Sequence, residues 1–263
     1  MTLHDRLSFA VSLAREAGAL ARTMRASREG LTIDAKGPQD FVTAADLAVE
    51  TLIRERIAQQ FPNDAIIGEE DGRQGDTSSG DVWIIDPIDG TTNFMRGLPD
   101  WAVSIACARA GEIALGVIFA PDHDLMLEGL LADTPIARKN GAALHPATSR
   151  MASEALVAVG WSQRTDFADH AALLAQIIKQ GGEYRRSGAA TIGLIGVASG
   201  WVDAYVEREL NLWDAAAGIA IIRAAGGAVE APAFTPELNT PAPFIALARA
   251  DHELADCLRL AVV

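Results

Sequence analysis

The nine residues 86–94 constrain the fold of this chain more than any other segment. They read Asp-Pro-Ile-Asp-Gly-Thr-Thr-Asn-Phe and follow the apolar run of residues 82–85. The apolar run predicts a buried strand, and Pro87, which has no N–H to pair, predicts a turn directly after it. We expect Asp89 to be the N-cap of a short helix that begins near Gly90.

This arrangement suits a divalent cation that lies beside a phosphate group. Carboxylate oxygens, here those of Asp86 and Asp89, are ligands that Mg²⁺ prefers. The unpaired N–H groups at a helix start bind anions, and a glycine at position 90 lets an anion approach the backbone closely. Two aspartates at this spacing also occur in a capped helix without any ligand, but the complete nine-residue pattern favours a site.

Three further segments place acidic residues at the ends of predicted elements, namely residues 42–46, 68–70 and 213–218. Each also has an ordinary structural explanation. Glu69 belongs to an acidic pair of the kind that is usually solvated in a loop. Asp214 lies in the first turn of a predicted helix, where it suits the helix dipole without a metal. Thr43 and Asp46 form a variant of the capping box at the start of another helix.

Electrostatics helps to choose between these explanations. If Glu69, Asp86, Asp89 and Asp214 converge, each close pair repels by roughly 4 kcal/mol at ~4 Å and an effective dielectric constant near 20. Several such pairs must take up protons, move apart or bind cations. Oxygen ligands without Cys or His suit Mg²⁺, Mn²⁺ or Ca²⁺ better than zinc.

Together, the four segments resemble signatures of the inositol monophosphatase family of metal-dependent phosphatases. Residues 86–94 match the family signature DPxDGTTNF without a departure, and residues 213–218 match WDxAAG. The Gly-Glu-Glu of residues 68–70 and the Val-Thr-Ala-Ala-Asp of residues 42–46 also match, in the family's order. The resemblance covers nearly the whole chain and implies a phosphatase with a layered αβαβα fold.

The resemblance also implies which residues hold the metals. Glu69, Asp86 and the carbonyl of Ile88 would hold the first metal, and Asp86, Asp89 and Asp214 the second. A third, weaker Mg²⁺ would contact Glu69. We therefore expect two or three Mg²⁺ ions in the site, for which Mn²⁺ can substitute.

Catalytic roles are implied for Glu69, Thr91 and Asp46. Thr91, supported by Asp46, would orient the attacking water, and the backbone amides of Gly90 and Thr91 would hold the phosphate. The implied reaction is direct in-line attack of a metal-activated water on a phosphomonoester, without a covalent phosphoenzyme.

The substrate is less constrained by the sequence. In the resemblance, the segment that runs from Arg185 through Arg186 to Ala190 borders the substrate, Ala190 lines the pocket, and Glu207 contacts a ring hydroxyl of inositol. A carboxylate can accept hydrogen bonds from a polyol, but Glu207 could equally form a surface ion pair with Arg185 or Arg208. We predict a small polyol phosphate, with inositol 1-phosphate as the leading candidate.

Two kinds of alternative stay open. Members of the family hydrolyse histidinol phosphate, fructose 1,6-bisphosphate or nucleotide 3′-phosphates with the same metal core, and the fold does not separate these substrates. A reading of another class is a regulatory binding protein in which catalysis is subordinate.

Net charge and cysteine content bear on partners and location. A net charge of −13 disfavours nucleic acids and anionic membranes as partners, and no apolar run of about 18 residues predicts a membrane span. The N-terminus lacks the layout of a signal peptide, and Cys107 and Cys257 are expected to be buried thiols. We predict a cytoplasmic protein; the resemblance adds a homodimer and sensitivity to Li⁺.

Periodicity predicts a mixed fold of the α+β or α/β class. Helices are expected over residues 3–28, 44–60, 167–180, 188–199, 213–225 and 251–261, with strands between them. The polar, glycine-rich residues 71–81 are expected to form a mobile loop. A change of pattern near residue 147 predicts two lobes. Residues 1–147 would form an α+β lobe with most metal ligands, and residues 148–263 an α/β lobe that contributes Asp214 and the substrate contacts.

Overall fold

The structure is a computed structural model that describes residues 1–27, 33–37, 40–78, 80–235 and 240–262, with the backbone alone at residues 33–37, 40–42, 261 and 262. Its α-helices are α1 (Leu3–Ser27), α2 (Ala44–Gln60), α3 (Thr91–Arg96), α4 (Phe167–Lys179), α5 (Ala190–Ala198), α6 (Leu212–Ala224) and α7 (Ala255–Val262). The predicted bounds of α2 are confirmed, and its capping box of Thr43 and Asp46 is complete.

The strands form a two-stranded, an eight-stranded and a five-stranded sheet. The pair consists of β1 (Ile33–Gly37) and β2 (Asp40–Thr43). The large sheet has the order β10-β9-β8-β7-β6-β5-β3-β4 and contains β3 (Ala65–Gly68), β4 (Gly72–Gln74), β5 (Val82–Asp89), β6 (Ala102–Arg109), β7 (Glu112–Ala120), β8 (Leu125–Leu130), β9 (Ile136–Lys139) and β10 (Ala142–Ala143). The smaller sheet has the order β12-β11-β13-β15-β14 and contains β11 (Leu156–Val159), β12 (Glu183–Arg185), β13 (Ala204–Leu210), β14 (Ala228–Glu230) and β15 (Ala242–Leu247).

Helices and sheets stack in five layers. Helices α1 and α2 cover one face of the eight-stranded sheet, α5 and α6 lie between the two larger sheets, and α4 and α7 cover the outer face of the five-stranded sheet. The predicted αβαβα architecture is confirmed. No helix within the described ranges has both the length and the apolar character needed to cross a membrane.

Strand β5 shows why the large sheet is buried on both faces. Trp83 and Ile85 contribute to the core beneath α1 and α2, whereas Ile84 contributes to the core that contains α5 and α6. Successive side chains of a strand point to opposite faces, so a continuous apolar run fills both cores. The core that contains α5 and α6 includes residues of strands before and after residue 147. The predicted division of the chain into two lobes near residue 147 stays a prediction.

Helix α6 packs very close to the large sheet because two strands carry glycine where it crosses. A Cβ atom at Gly116 of β7 would lie 2.3 Å from the Ala217 carbonyl oxygen, and one at Gly129 of β8 would lie 2.5 Å from the Cα atom of Ile221. Any larger residue would push the helix away. This contact fixes the depth of the first turn of α6, which carries Asp214.

Two local predictions were wrong. The chain does not turn at Pro87, because β5 continues to Asp89 with an irregular register against β6 between Asp86 and Asp89. Proline is tolerated at such a bulge, where its missing N–H removes no regular ladder bond. The expected mobile loop of residues 71–81 is also interrupted, because β4 pairs antiparallel with β3.

Candidate metal centre and substrate cleft

Three carboxylates converge where β3, β5 and α6 meet. Glu69, Asp86 and Asp214 each place an oxygen within 4.8 Å of the others. Strands β3 and β5 are parallel neighbours, and Gly68 pairs with Ile85. The residue that follows each member of this pair is a carboxylate, Glu69 just after the end of β3 and Asp86 within β5, and α6 brings the third from the second half of the chain.

Asp86 provides the test of whether a cation fits this cluster. Its side chain is fully buried. Its Oδ1 atom accepts a hydrogen bond of 2.9 Å from the Ile88 N–H, but its Oδ2 atom has no hydrogen-bond partner in the described part of the chain. A buried carboxylate oxygen without a partner is costly, and a hard cation would satisfy it. The oxygen-only donor set fits Mg²⁺.

The pKa values of the cluster show the same electrostatic conflict. Burial raises the pKa of the Asp86 carboxyl well above its usual range, and the charges of Glu69, Asp214 and Asp89 raise it further. Burial and then the charge of Asp89 raise the pKa of Asp214 to about 8. These carboxylates cannot all be ionised at neutral pH without positive charge between them.

Asp89 lines the same cleft but is held differently from the prediction. The N-cap of α3 is Gly90, at φ 89° and without a side-chain cap bond, so the predicted capping role of Asp89 was wrong. Its Oδ2 atom instead accepts a bond of 2.7 Å from the Thr191 N–H and another from the Thr191 hydroxyl. Burial raises the pKa of Asp89, and these two bonds oppose the shift.

Thr91 and Asp46 meet beside the acidic cluster. The Thr91 hydroxyl lies 3.3 Å from Asp46 Oδ1 and 3.2 Å from the Ile88 carbonyl oxygen. A hydroxyl donates only one hydrogen and has two lone pairs. It can therefore donate to either oxygen and still accept a bond from a water in the cleft. Asp46 is fully buried, and burial raises the pKa of its carboxyl.

A cleft of about 880 Å³ opens onto these groups. Among the predicted site residues, those that line it are Glu69, Asp89, Gly90, Thr91, Ala190, Glu207 and Asp214. Asp46 and Asp86 are fully buried beside it. The sequence analysis assigned no role in the cleft to the lining residues Trp161, Arg164, Tyr205 and Trp213.

Comparison with known proteins gives the family. The model of the inositol monophosphatase family matches residues 2–257. The chain belongs to the inositol monophosphatase family. Members of this family are metal-dependent phosphatases, typically with Mg²⁺, that act on small phosphorylated substrates.

Individual relatives carry two different names. The chain is 34% identical over 229 residues to Nus factor SuhB of Escherichia coli K12, which covers 86% of this chain and 85% of the relative. It is 35% identical over 224 residues to inositol-1-monophosphatase of Rhizobium meliloti, which covers 82% of this chain and 78% of the relative. Similar solved structures include extragenic suppressor protein suhB of Bartonella henselae (28% identity, TM-score 0.87, 98% of each chain). Another is inositol monophosphatase from Anabaena sp. PCC 7120 (28% identity, TM-score 0.83, 100% of this chain and 96% of that chain).

Glu207 and Arg185, which were both predicted to contact the substrate, lie in different surroundings in this inositol monophosphatase fold. Glu207 is only 7% exposed, so it is not the surface ion-pair residue of the alternative interpretation. Burial raises the pKa of Glu207 to about 7, against the lowering effect of the Tyr205 hydroxyl. Arg185 is not in the cleft lining, because its guanidinium contacts the Tyr184 carbonyl and Glu183. The neighbouring Arg186 lines the cleft instead.

A buried ion pair that the sequence analysis missed supports Glu69. Glu50 on α2 accepts hydrogen bonds from the N–H groups of Glu70 (3.0 Å) and Asp71 (2.9 Å). Arg54, one helical turn later, lies 2.7 Å from Glu50 and donates to the Gly72 carbonyl oxygen at 2.7 Å. Since these bonds fix the backbone just after Glu69, the pair sets where its carboxylate lies. The sequence signal for this buried pair was a glutamate and an arginine four residues apart among the apolar positions of α2.

Proposed function

We propose that this protein is a Mg²⁺-dependent phosphomonoesterase that hydrolyses a small polyol phosphate, with inositol 1-phosphate as the leading candidate. One observation carries the proposal. The same cleft is lined by carboxylates of the acidic cluster and by Glu207, a buried carboxylate outside that cluster. The cluster suits the phosphate end of a substrate once cations are bound, and Glu207 suits hydroxyl groups of the leaving alcohol.

The oxygen-only donor set supports the assignment of metal ligands that the family resemblance implies. Glu69, Asp86 and Asp214 would hold the cation, with Asp89 and the Ile88 carbonyl as further ligands, and Mn²⁺ would substitute for Mg²⁺. When bound, the cation supplies positive charge for the phosphoryl oxygens and makes a coordinated water more acidic.

Side chains and backbone amides of the protein would orient the water and bind the substrate. Thr91, whose hydroxyl can donate to Asp46, would accept a hydrogen bond from a water and turn that water's lone pair toward phosphorus. The amides of Gly90 and Thr91 would bind phosphate oxygens. Ala190, with its small side chain, would leave room for the leaving alcohol. Family resemblance alone supports a homodimer, inhibition by Li⁺ and a cytoplasmic location.

Phosphate release tests this proposal. The protein would be stripped with EDTA, and Mg²⁺ added back with inositol 1-phosphate, histidinol phosphate, fructose 1,6-bisphosphate or adenosine 3′,5′-bisphosphate. We expect Mg²⁺-dependent release that is fastest from inositol 1-phosphate. Asp89→Asn should abolish most turnover, whereas Asp133→Asn, the same change at an exposed position, should not. Near wild-type turnover of Asp89→Asn at saturating Mg²⁺ would refute the metal assignment.

One observation supports the alternative that this is a regulatory binding protein in which catalysis is subordinate. Relatives named Nus factor SuhB and inositol-1-monophosphatase match this chain at similar identity. Absence of release from all four substrates, in protein shown to bind Mg²⁺, would favour a binding role over catalysis.

A further inference from the structure

Tyr205 and Glu207 form a buried pair at the substrate cleft. They lie two residues apart on β13, so their side chains share one face of the strand. Tyr205 is 2% exposed, and its hydroxyl donates a hydrogen bond to Glu207 Oε2. Both residues line the cleft.

Neighbouring elements leave space for this pair only because two residues lack side chains. A Cβ atom at Gly160 would lie 2.0 Å from Glu207 Oε2 and 2.4 Å from the Tyr205 hydroxyl oxygen. A Cβ atom at Gly193 of α5 would lie 2.4 Å from Cδ2 of the Tyr205 ring. The ring also makes an edge contact with Phe244, with centroids 6.1 Å apart. The tyrosine is therefore held from several sides.

Strand register places Gly160 beside Glu207. Strand β11 pairs in parallel with β13, with Ala158 opposite Tyr205 and Val159 opposite Val206. The Gly160 N–H continues the pairing by donating to the Val206 carbonyl oxygen at 2.9 Å. The next side chain on the shared face after Ala158 would be that of residue 160, and it would occupy the position of the carboxylate.

The two oxygens of the Glu207 carboxylate have different roles in this geometry. Oε2 accepts the hydrogen bond from Tyr205, which restricts rotation of the carboxyl group. Oε1 is then the oxygen that can accept a hydrogen bond from a ligand in the cleft. The phenol has one hydrogen to donate. While it donates to Glu207, it cannot also donate to a substrate.

We propose that Tyr205 is a positioning residue that holds Glu207 so that its second oxygen accepts a hydrogen bond from a hydroxyl group of the leaving alcohol. The inference rests on the proposed phosphatase function. It makes the preference for a polyol phosphate, which is part of that proposed function, depend on Tyr205, a residue assigned no contact with phosphate.

Tyr205→Phe tests the proposal, with inositol 1-phosphate and p-nitrophenyl phosphate as paired substrates. The second compound has no hydroxyl on its leaving group. We expect KM for inositol 1-phosphate to rise about tenfold, the factor expected for one misplaced hydrogen bond to a charged group. The kinetic constants for p-nitrophenyl phosphate should stay within about twofold. Tyr184→Phe, the same change at the other tyrosine of the chain, is the matched control and should alter neither.

Two further variants separate positioning from a structural role. A double variant with Glu207→Gln should be no worse than Glu207→Gln alone, because Tyr205 acts only through Glu207. If Tyr205→Phe lowers the melting temperature strongly, Gly160→Ala displaces the same carboxylate by another route and should cause the same selective loss. A parallel loss toward both substrates in either variant, or additive effects in the double variant, would overturn the positioning role.

These measurements distinguish failure of the proposed phosphatase function from failure of the positioning role of Tyr205. If the wild-type protein releases phosphate from neither substrate with Mg²⁺, the proposed phosphatase function fails, and this inference fails with it. If the wild type favours inositol 1-phosphate and Tyr205→Phe keeps that preference, only the positioning role is refuted.

Discussion

Replacing Glu50 by Gln should destabilise this protein far more than the same replacement at Glu16. Both glutamates pair with an arginine at 2.7 Å. The side chains of Glu50 and Arg54 are 0% and 9% exposed, whereas those of Glu16 and Arg56 are 45% and 41% exposed. The two replacements are therefore the same chemical change, made once in a buried pair that also accepts two backbone N–H bonds and once in an exposed pair.

The expected magnitudes follow from that difference. Glu50→Gln leaves the Arg54 guanidinium buried without its countercharge, which costs about 3–5 kcal/mol of unfolding free energy. Glu16→Gln breaks a solvated pair, which costs less than about 1 kcal/mol. Urea denaturation gives both values from the midpoint and slope of the transition. Losses of equal size in the two variants would refute the argument from burial.

The same replacement should weaken cation binding. Glu50 holds the backbone of residues 70 and 71, and a looser backbone there would allow Glu69 to leave the acidic cluster. We expect the apparent Mg²⁺ dissociation constant of Glu50→Gln to rise about tenfold or more, as for other residues that orient metal ligands. A Mg²⁺ titration followed by calorimetry measures it, with Glu16→Gln as control. An unchanged constant would show that Glu69 needs no such support.

Three other predictions concern pH, the cleft and the thiols. In EDTA-stripped protein, stability should fall as the pH rises from about 4 through about 8, because in this window Asp214 is ionised in the unfolded chain but keeps its proton in the fold, where its pKa is raised to about 8; melting temperatures with and without Mg²⁺ check this, and a flat profile without Mg²⁺ would contradict it. Thr191→Val removes the hydroxyl bond to Asp89 and should lower kcat/KM about tenfold or more with little change in melting temperature; steady-state kinetics that match the wild type would show that activity does not depend on this bond. A thiol reagent should label the partly buried Cys257 well before Cys107, whose thiol is buried and has a raised pKa; mass spectrometry of partly labelled protein decides, and early modification of Cys107 would count against its burial.

The sequence was most informative where the causes are local. Helix α2 has its predicted bounds because a capping box starts it and Phe61-Pro62 follows its end. The local pattern of each signature segment gave only a strand end or a helix start for its carboxylate, and the meeting of Glu69, Asp86 and Asp214 in one cluster was expected from the family resemblance.

Predictions failed where a distant residue decides the outcome. Asp89 had a good local capping pattern, but Thr191 of α5 binds its carboxylate instead. Pro87 had a good turn pattern, but the bulge against β6 accommodates it within the strand. Arg185 ends β12 and its guanidinium contacts the Tyr184 carbonyl and Glu183, whereas Arg186, which follows the strand, lines the cleft. Neither Thr191 nor the bulge against β6 is visible in the local pattern.

The acidic cluster also has a consequence for folding kinetics. Its third member, Asp214, reaches β3 and β5 only when α6 has docked on the large sheet, after the chain has closed a long loop. A cation that needs all three carboxylates would therefore bind the native state and not an early intermediate. Mg²⁺ would then slow unfolding without accelerating folding. The lifetime of the folded protein, measured as resistance to proteolysis, would follow the concentration of free Mg²⁺.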